Sequence, residues 1–508
     1  MRNLVISVPR LEIHRPPIST AIVAEAIRLE GEKVEAIDLN CEFFHYLADR
    51  QSYYNYDQVW DKVREPTLAE VKNIVAFIKS RLDQLDKYDR YWISVFGSSG
   101  TFFTQMLCGL IRKHLKDKII ILGGQGVKDL DIVDKSKFFG TKMMEKGLCD
   151  LFLTGEGENV IKHVIAGDID KPGINYNPPI QINDLDDLPF PNYGFYDLDR
   201  YDYLSDKKEV FIVGSRGCVR RCTYCDVAGY WPKFRYRSGK NIASEMINHY
   251  EKHGVNLFYF TDSLVNGSMK AFNDMCETLA KYNQDHNAGF EWKGQFIFRP
   301  KNQLPQDHFA TMAAAGGKEF YVGVETGSDK IRWEMDKKFK NEDIDFQLEE
   351  FNKHGMHAFF LMLIGYVTET LEDHHETLRM FKRWQKYVAT GTIKGIDLGV
   401  GLKFLAGTPL ERQIDQHQVY FLKSDDPLSD IQKTDLWQSR NNPDLDVPER
   451  IRRRIETHRE AIKYNWPIWR GERTLSVVKF MSEKYLRFMK GLPEEPKMVQ
   501  KLNLNFFE

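Results

Sequence analysis

Two stretches of this chain alternate short β-branched and aromatic runs with longer amphipathic runs, a pattern that commits a chain to parallel sheets covered by helices. In the first, Leu4 to Val8, Val34 to Leu39, Tyr91 to Phe96, Lys118 to Leu122 and Leu151 to Thr154 read as strands. Ala21 to Leu29, Leu68 to Leu85 and the run near Gln105 to Leu115 read as helices between them. In the second, strands are expected at Val210 to Val213, Leu257 to Thr261, Glu291 to Ile297, Phe320 to Val324, Ala358 to Ile364 and Gly395 to Leu402. Helical patterns follow these, as at Ile242 to Tyr250 and Leu371 to Lys386.

A chain of 508 residues is too long for one hydrophobic core. Between the two series the composition turns to Pro, Asn and Asp, as in Asn175-Tyr176-Asn177-Pro178-Pro179, which reads as a linker. The expected class is α/β: a doubly wound, Rossmann-like parallel sheet over 1–166, a linker over 167–205, a partial (β/α)6 TIM-like barrel over 206–410, and a mostly helical region over 411–508. Ligands of such folds bind at the carboxyl ends of the strands. In the first series those ends carry turn chemistry, including Gly97-Ser98-Ser99-Gly100, Gly123-Gly124-Gln125-Gly126 and Gly155-Glu156-Gly157-Glu158.

With 42% apolar and 28% charged residues the chain is set to fold, and a net charge of −2 gives no global pull toward nucleic acid or a membrane surface. The opening Met-Arg-Asn-Leu-Val-Ile-Ser-Val-Pro is too brief an apolar run for a signal peptide or a membrane span, so a cytoplasmic location is expected. Seven cysteines, an odd count, argue against a disulfide framework and for metal or redox use.

Cys218, Cys222 and Cys225 form a C-x3-C-x2-C on a loop directly after an expected strand. Three thiolates this close can wrap one iron-sulfur cubane, and three protein ligands leave one iron open to an outside ligand. Zinc is the alternative, but a structural zinc site is closed by four protein ligands, and the next candidates are His249 and His253.

The cysteine stretch, with Tyr224 before its last cysteine, resembles the radical S-adenosylmethionine (SAM) superfamily. Phe260-Thr261-Asp262-Ser263 takes the place of an acidic end to the second strand, Gly323-Val324-Glu325 of a G-x-E at the fourth, and Gly365-Tyr366-Val367-Thr368-Glu369-Thr370 of the turn after the fifth. Val367 stands where many members carry proline. The resemblance implies a 4Fe-4S cluster on the three cysteines and SAM chelating the open iron, with Tyr224, Asp262 and Glu325 as SAM-binding residues. It also implies reductive cleavage to a 5′-deoxyadenosyl radical, fed by a reductant such as a flavodoxin or ferredoxin.

The first series resembles the cobalamin-binding module found ahead of many such enzymes, through Asp38-Leu39-Asn40, Ser94-Val95-Phe96-Gly97, Gly123-Gly124, Gly155-Glu156-Gly157-Glu158 and Leu185-Asp186-Asp187-Leu188-Pro189. This implies cobalamin near His14, Ser98, Gly123, Gly124, Gly155 and Glu156. The Asp-x-His-x-x-Gly signature that gives cobalt a lower histidine in other cobalamin proteins is absent; Asp415-Gln416-His417 comes nearest and lacks the glycine. The resulting expectation is methyl transfer through cobalamin to a small-molecule substrate, with a cobalamin-free radical reaction as runner-up. Gln295, Tyr321, Lys403 and Trp231 are candidate pocket residues.

Arg235-Tyr236-Arg237 with Lys233 and Lys240 interleaves basic and aromatic residues as an RNA-binding surface does, and methylthiotransferases acting on transfer RNA share a related architecture. A solvated basic face is the favoured account of that run, and nucleic acid is the less favoured partner. A second cluster would need Cys41, Cys108 and Cys149, which read better as packing cysteines. The run Arg450 to Arg454, balanced by Glu449, Glu456 and Glu460, reads as a salt-bridged helix face. A non-enzymatic iron-sulfur sensor is the remaining alternative.

Overall fold

The computed structural model describes residues 1–61, 64–128, 135–398, 401–422 and 436–469. The chain divides into two compact units, one made of Met1–Val213 and Arg235–Tyr259, the other of Gly214–Phe234 and Phe260–Glu508.

The first unit is built on β1 (Arg2–Ser7), β2 (Lys33–Asp38), β3 (Arg90–Ser94), β4 (Ile119–Gly123) and β5 (Leu151–Phe152), in the order β2-β1-β3-β4-β5. All four pairings are parallel, with Ser7 opposite both Asp38 and Ser94, and Ser94 opposite Gly123, so the carboxyl ends share one edge. Side chains alternate between two faces. Leu4, Ile6, Tyr91, Ile93, Ile120 and Leu122 pack on the side of Leu68–Lys79 and Thr101–His114, whereas Val5, Trp92 and Ile121 pack with Ala24 and Ile27 of Ile18–Leu29. The helix after β1 and the helix after β3 therefore cover opposite faces. Between β1 and β3 lies the switch point at which doubly wound sheets of this order take their ligands.

After β2, three short helices, Leu39–Tyr46, Arg50–Asn55 and Asp57–Trp60, fill a stretch the periodicity had not resolved. The first is capped by Asp38, whose carboxylate accepts the Asn40 amide at 3.0 Å. The proline-rich stretch is no free connection: Asn192 donates to Glu25 at 2.9 Å, and the buried Tyr193 donates to the Phe211 carbonyl at 2.7 Å.

All six strands of the second series are present. β6 (Glu209–Ile212) belongs to the first unit and β9 (Leu257–Phe260) ends at its border; β7 (Ser215–Arg216) precedes the cysteines, and β8 (Arg235–Tyr236) returns the chain to the first unit. In the second unit β10 (Glu291–Phe296), β11 (Gly317–Glu325), β12 (His357–Met362) and β13 (Ile393–Asp397) form a parallel run ordered β13-β12-β11-β10. Trp292, Phe296, Phe320 and Phe360 point to the buried side, where Phe351 of Asn341–His354 meets Phe320 at 5.3 Å between centroids. The other side is half-buried and carries Lys293, Gln295 and Tyr321. The last expected strand ends early at Asp397, and 399–400 lie outside the described residues.

Beyond Glu411 the chain holds an antiparallel pair, β14 (Val419–Phe421) with β15 (Trp437–Ser439), and the helix Val447–Lys463 begun by Asp446 as cap and Pro448. The pair was not anticipated, and 423–435 and 470–508 of the expected helical region lie outside the described residues. Among the described residues no helix is long and apolar enough to cross a membrane.

Candidate cluster site and ligand edge

The cysteine loop starts at Gly217, whose φ of +90° and 2.8 Å clearance between a notional Cβ and the Lys233 carbonyl leave room for no side chain. From there the chain folds into a tight turn. The Cys225 amide bonds the Cys222 carbonyl at 3.1 Å, and the Arg220 amide reaches Cys218 Sγ at 3.4 Å. The turn is clamped at Thr223: its amide donates to the Met335 carbonyl at 3.2 Å, its carbonyl accepts from the Leu410 amide at 2.8 Å, and its hydroxyl meets that of Tyr366 at 2.8 Å.

Cys218, Cys222 and Cys225 are free and half-buried. Burial pushes all three thiols up, Cys225 to about 11, while the charges of Lys337, Arg220 and Arg221 work in the opposite direction at Cys218. Three unpaired thiols on one turn with cations beside them suit an anionic iron-sulfur cluster. Among the described residues no closed zinc site is formed. His249 is buried against Tyr193 at 5.1 Å and beside Glu245, His253 stacks on His249, and among the described residues no three His, Cys, Asp or Glu side chains gather around a single ion.

Glu325 ends β11 and lies in the left-handed region at φ +65°, which turns its side chain back along the strand. Its Oε1 accepts the Tyr224 hydroxyl at 2.7 Å and the Lys337 ammonium at 2.7 Å. Gly323 makes this possible, because a Cβ there would lie 2.3 Å from Glu325 Oε1 and 2.5 Å from Lys337 Nζ. The spacing G-x-E thus has a local cause: the glycine vacates the space into which the carboxylate folds. Burial works against the Lys337 charge, yet the Glu325 carboxylate and the nearby Cys222 and Cys225 hold its pKa above the usual lysine value. Burial, with Glu325 beside it, drives the Tyr224 hydroxyl well above its ordinary value. Lys337 was missed in the sequence, where it belongs to no motif.

Asp262 is buried two residues past β9. Its Oδ2 accepts the Gly214 amide at 2.8 Å and its Oδ1 the Ser215 hydroxyl at 2.5 Å. The acidic strand end therefore ties down the approach to the cysteines.

The turn after β12 is held from beneath. Gly365 has φ +84° and lies against Arg450, a notional Cβ coming within 3.0 Å of that side chain. Glu369 accepts the Gly365 amide at 3.2 Å and Arg453 Nη1 at 2.9 Å, both charged groups being buried. Arg450 lies 3.8 Å above the Trp437 ring and donates to the Leu445 and Trp437 carbonyls. The expected salt-bridged surface face is thus corrected. Arg450, Arg453 and Arg454 are buried supports, and the exposed exchange runs from Arg452 to Glu449 and Glu456 and from Lys463 to Glu460.

In the first unit, His14 Nδ1 pairs with the Asp202 carbonyl at 2.5 Å, and Ser98 is exposed beside Phe96, which is 56% exposed. The strand-end glycines have internal reasons. Gly124, at φ +94°, would strike the Val95 carbonyl with a Cβ at 2.4 Å, and Gly155, at φ +77°, would strike Pro179 at 2.4 Å; Gly123 has only Leu153 Cβ at 4.0 Å. Glu156 must be withdrawn from the ligand set: it is buried, bonded to Arg235 at 2.8 Å and to the Ile182 amide. The same pair corrects the basic-aromatic run. Arg235 and Arg237 point inward, Arg237 to Glu245 and over the Phe190 ring, whereas Lys233, Tyr236 and Lys240 stay exposed, so the two arginines are internal supports and only the other three residues form a solvated face.

Cys41, Cys108 and Cys149 are buried, the last two in one apolar cluster. Of the pocket candidates, Tyr321 stacks on Phe359 at 5.4 Å, Trp231 lies under Arg216 at 5.6 Å, and Gln295 and Lys403 are half-buried.

Residues 212–381 match the family described as the Radical SAM superfamily. The chain carries a radical SAM domain. Over 209 residues it is 29% identical to the anaerobic magnesium-protoporphyrin IX monomethyl ester cyclase of Synechocystis sp., a match covering 37% of this chain and 40% of that one. Over 195 residues it is 25% identical to the cytidylyl-2-hydroxyethylphosphonate methyltransferase of Streptomyces wedmorensis, covering 36% and 35%. These matches thus span well under half the length of either relative. The structure of the radical SAM methyltransferase TsrM from Kitasatospora setae, with cobalamin and a 4Fe-4S cluster bound, matches with a TM-score of 0.59 at 12% identity, over 96% of this chain and 100% of that one. That likeness is one of fold, and it extends over both units around the radical SAM domain.

Proposed function

We propose that this chain is a radical SAM enzyme in which Cys218, Cys222 and Cys225 hold a 4Fe-4S cluster and Glu325 receives the amino group of SAM. The observation that carries the reading is the Glu325 carboxylate beside the cysteine turn: both of its bonds fall on Oε1, which leaves Oε2 to a ligand. When bound, the cluster supplies the electron that breaks a sulfur-carbon bond of SAM. The chain's own residues bind, orient and exclude water. Tyr224 and Lys337 fix the carboxylate, Thr223 and Tyr366 fix the turn, and the apolar cluster of Leu363, Tyr366, Val367, Leu402 and Phe404 packs beside Tyr224. Asp262 acts through the loop it anchors. A small electron-transfer protein such as a flavodoxin or ferredoxin would supply the electron, in the cytoplasm.

We infer further that the first unit takes cobalamin at the switch point between β1 and β3, along His14, Ser98, Gly123, Gly124 and Gly155, and that the reaction is methyl transfer to a small molecule. Support comes from the fold shared with TsrM, from the methyltransferase relative, and from the exposed Phe96, which offers a flat apolar surface at that edge. The glycines whose space is taken up by the protein's own atoms favour a second reading, a cobalamin-free radical reaction. The test is equilibrium binding of cobalamin together with mass spectrometry of SAM products. Stoichiometric binding, with S-adenosylhomocysteine formed only when cobalamin is present, supports methyl transfer; 5′-deoxyadenosine alone, with no cobalamin bound, supports the second reading.

A further inference from the structure

Lys337 lies between Glu325 and the cysteine turn and is 8% exposed. Besides its 2.7 Å bond to Glu325, its ammonium stands 5.8 Å from the centroid of the ring of Tyr224, the residue between Cys222 and Cys225 on the cysteine turn. The residues on either side, Asp336 at φ 62° and Lys338 at φ 59°, are both left-handed without being glycine, a conformation that costs energy and recurs where a chain must aim a side chain. Burying a lysine is itself unfavourable unless its charge is used.

Arg220 and Arg221 also bring positive charge to the cysteine turn, but Arg220 is half-buried and Arg221 exposed, so water and salt screen them more than they screen the buried Lys337. Net charge and polar surroundings set the potential of an iron-sulfur cluster, and a nearby cation favours the more negative, reduced form. We propose that Lys337 is a positioning residue whose buried charge, held in place by Glu325, raises the reduction potential of the cluster on Cys218, Cys222 and Cys225. The inference rests on the cluster reading above and goes beyond it by naming the group that makes the cluster reducible.

The test is potentiometry, followed by electron paramagnetic resonance, on the anaerobically reconstituted full chain. Lys337→Met shifts the reduction equilibrium at least tenfold against the reduced cluster, about 59 mV for a one-electron couple, while Lys337→Arg stays within twofold of the parent. Because Lys337→Met strands a buried carboxylate, a second comparison removes it: Glu325→Gln/Lys337→Met is at least tenfold harder to reduce than Glu325→Gln alone. Equal potentials in that pair, or an unchanged potential in Lys337→Met, overturn the proposal. A parent chain that takes up no cluster would instead sink the cluster reading itself, so the two failures are distinguishable.

Discussion

The hydroxyl of Tyr224 donates to Glu325 Oε1 at 2.7 Å, joining the cysteine turn to a strand end 101 residues further along the chain. The aromatic residue inside the cysteine motif and the G-x-E at the end of β11 therefore make a single device. One fixes the carboxylate that the other supplies.

Tyr224→Phe removes this bond and keeps the ring in its apolar cluster. A hydrogen bond to a charged acceptor contributes about 1.5–3 kcal/mol, so SAM affinity should fall by roughly 10-fold or more while iron and sulfide content stay at the parent level. Equilibrium dialysis with the reconstituted chain measures it, and unchanged affinity would separate Tyr224 from the SAM site.

Gly323→Ala places a methyl group where Glu325 Oε1 and Lys337 Nζ lie 2.3 and 2.5 Å away. Since the atoms the methyl would meet are the ends of the Glu325 and Lys337 side chains, the carboxylate must move. SAM affinity should drop about tenfold, or about 1.4 kcal/mol, with the cluster still assembled. A variant that binds SAM as the parent does would show that Glu325 tolerates displacement.

Much of this was legible in the sequence, and the reason is locality. Apart from β13, which ends five residues before its expected end, the strands of both series stand within three residues of their expected bounds because alternation and flanking turns are short-range signals. The cysteines and Glu325 stood out in the sequence because their spacing matches a motif, and the structure joins the two stretches through the Tyr224–Glu325 bond. Lys337 was not, because a lysine in Met335-Asp336-Lys337-Lys338-Phe339 reads as a solvated charge, and only the left-handed backbone around it turns it inward. Arg235, Arg237, Arg450 and Arg453 were read as surface charges for the same reason: their acidic partners, Glu156, Glu245 and Glu369, are remote in sequence or belong to other elements, and burial of a paired charge leaves no periodic trace. The glycines at the strand ends were read as room for a ligand, whereas two of them answer to their own backbone and to Pro179.

The Arg235–Glu156 pair should behave as a buried ion pair. Arg235→Met leaves a carboxylate unpaired and should cost roughly 3–5 kcal/mol, whereas Arg235→Met with Glu156→Gln should recover much of that loss. Urea denaturation of the three proteins measures the difference. If Arg235→Met were as stable as the parent and bound RNA less well, the arginine would be a surface contact after all.

Acid should loosen the support beneath the turn after β12. Burial favours the neutral form of Glu449, but hydrogen bonds from Arg452 and Arg453 outweigh it and hold its pKa down to about 2. A depressed carboxylate contributes stability that is complete above its unfolded value near 4.5 and is lost as pH falls toward 2. Glu449→Gln should therefore be less stable than the parent at neutral pH and lose less stability between pH 4.5 and 2, as followed by circular dichroism. Parallel acid profiles for the two proteins would remove Glu449 from this role.

The most direct measurement of the central claim is mass spectrometry of SAM products from the anaerobically reconstituted, chemically reduced chain, beside the variant in which Cys218, Cys222 and Cys225 are all alanine. The account predicts SAM cleavage by the parent, seen as 5′-deoxyadenosine or S-adenosylhomocysteine, and neither product nor bound iron and sulfide in the variant. Cleavage by the triple variant at the parent's rate, or a full cluster retained in it, would contradict the account.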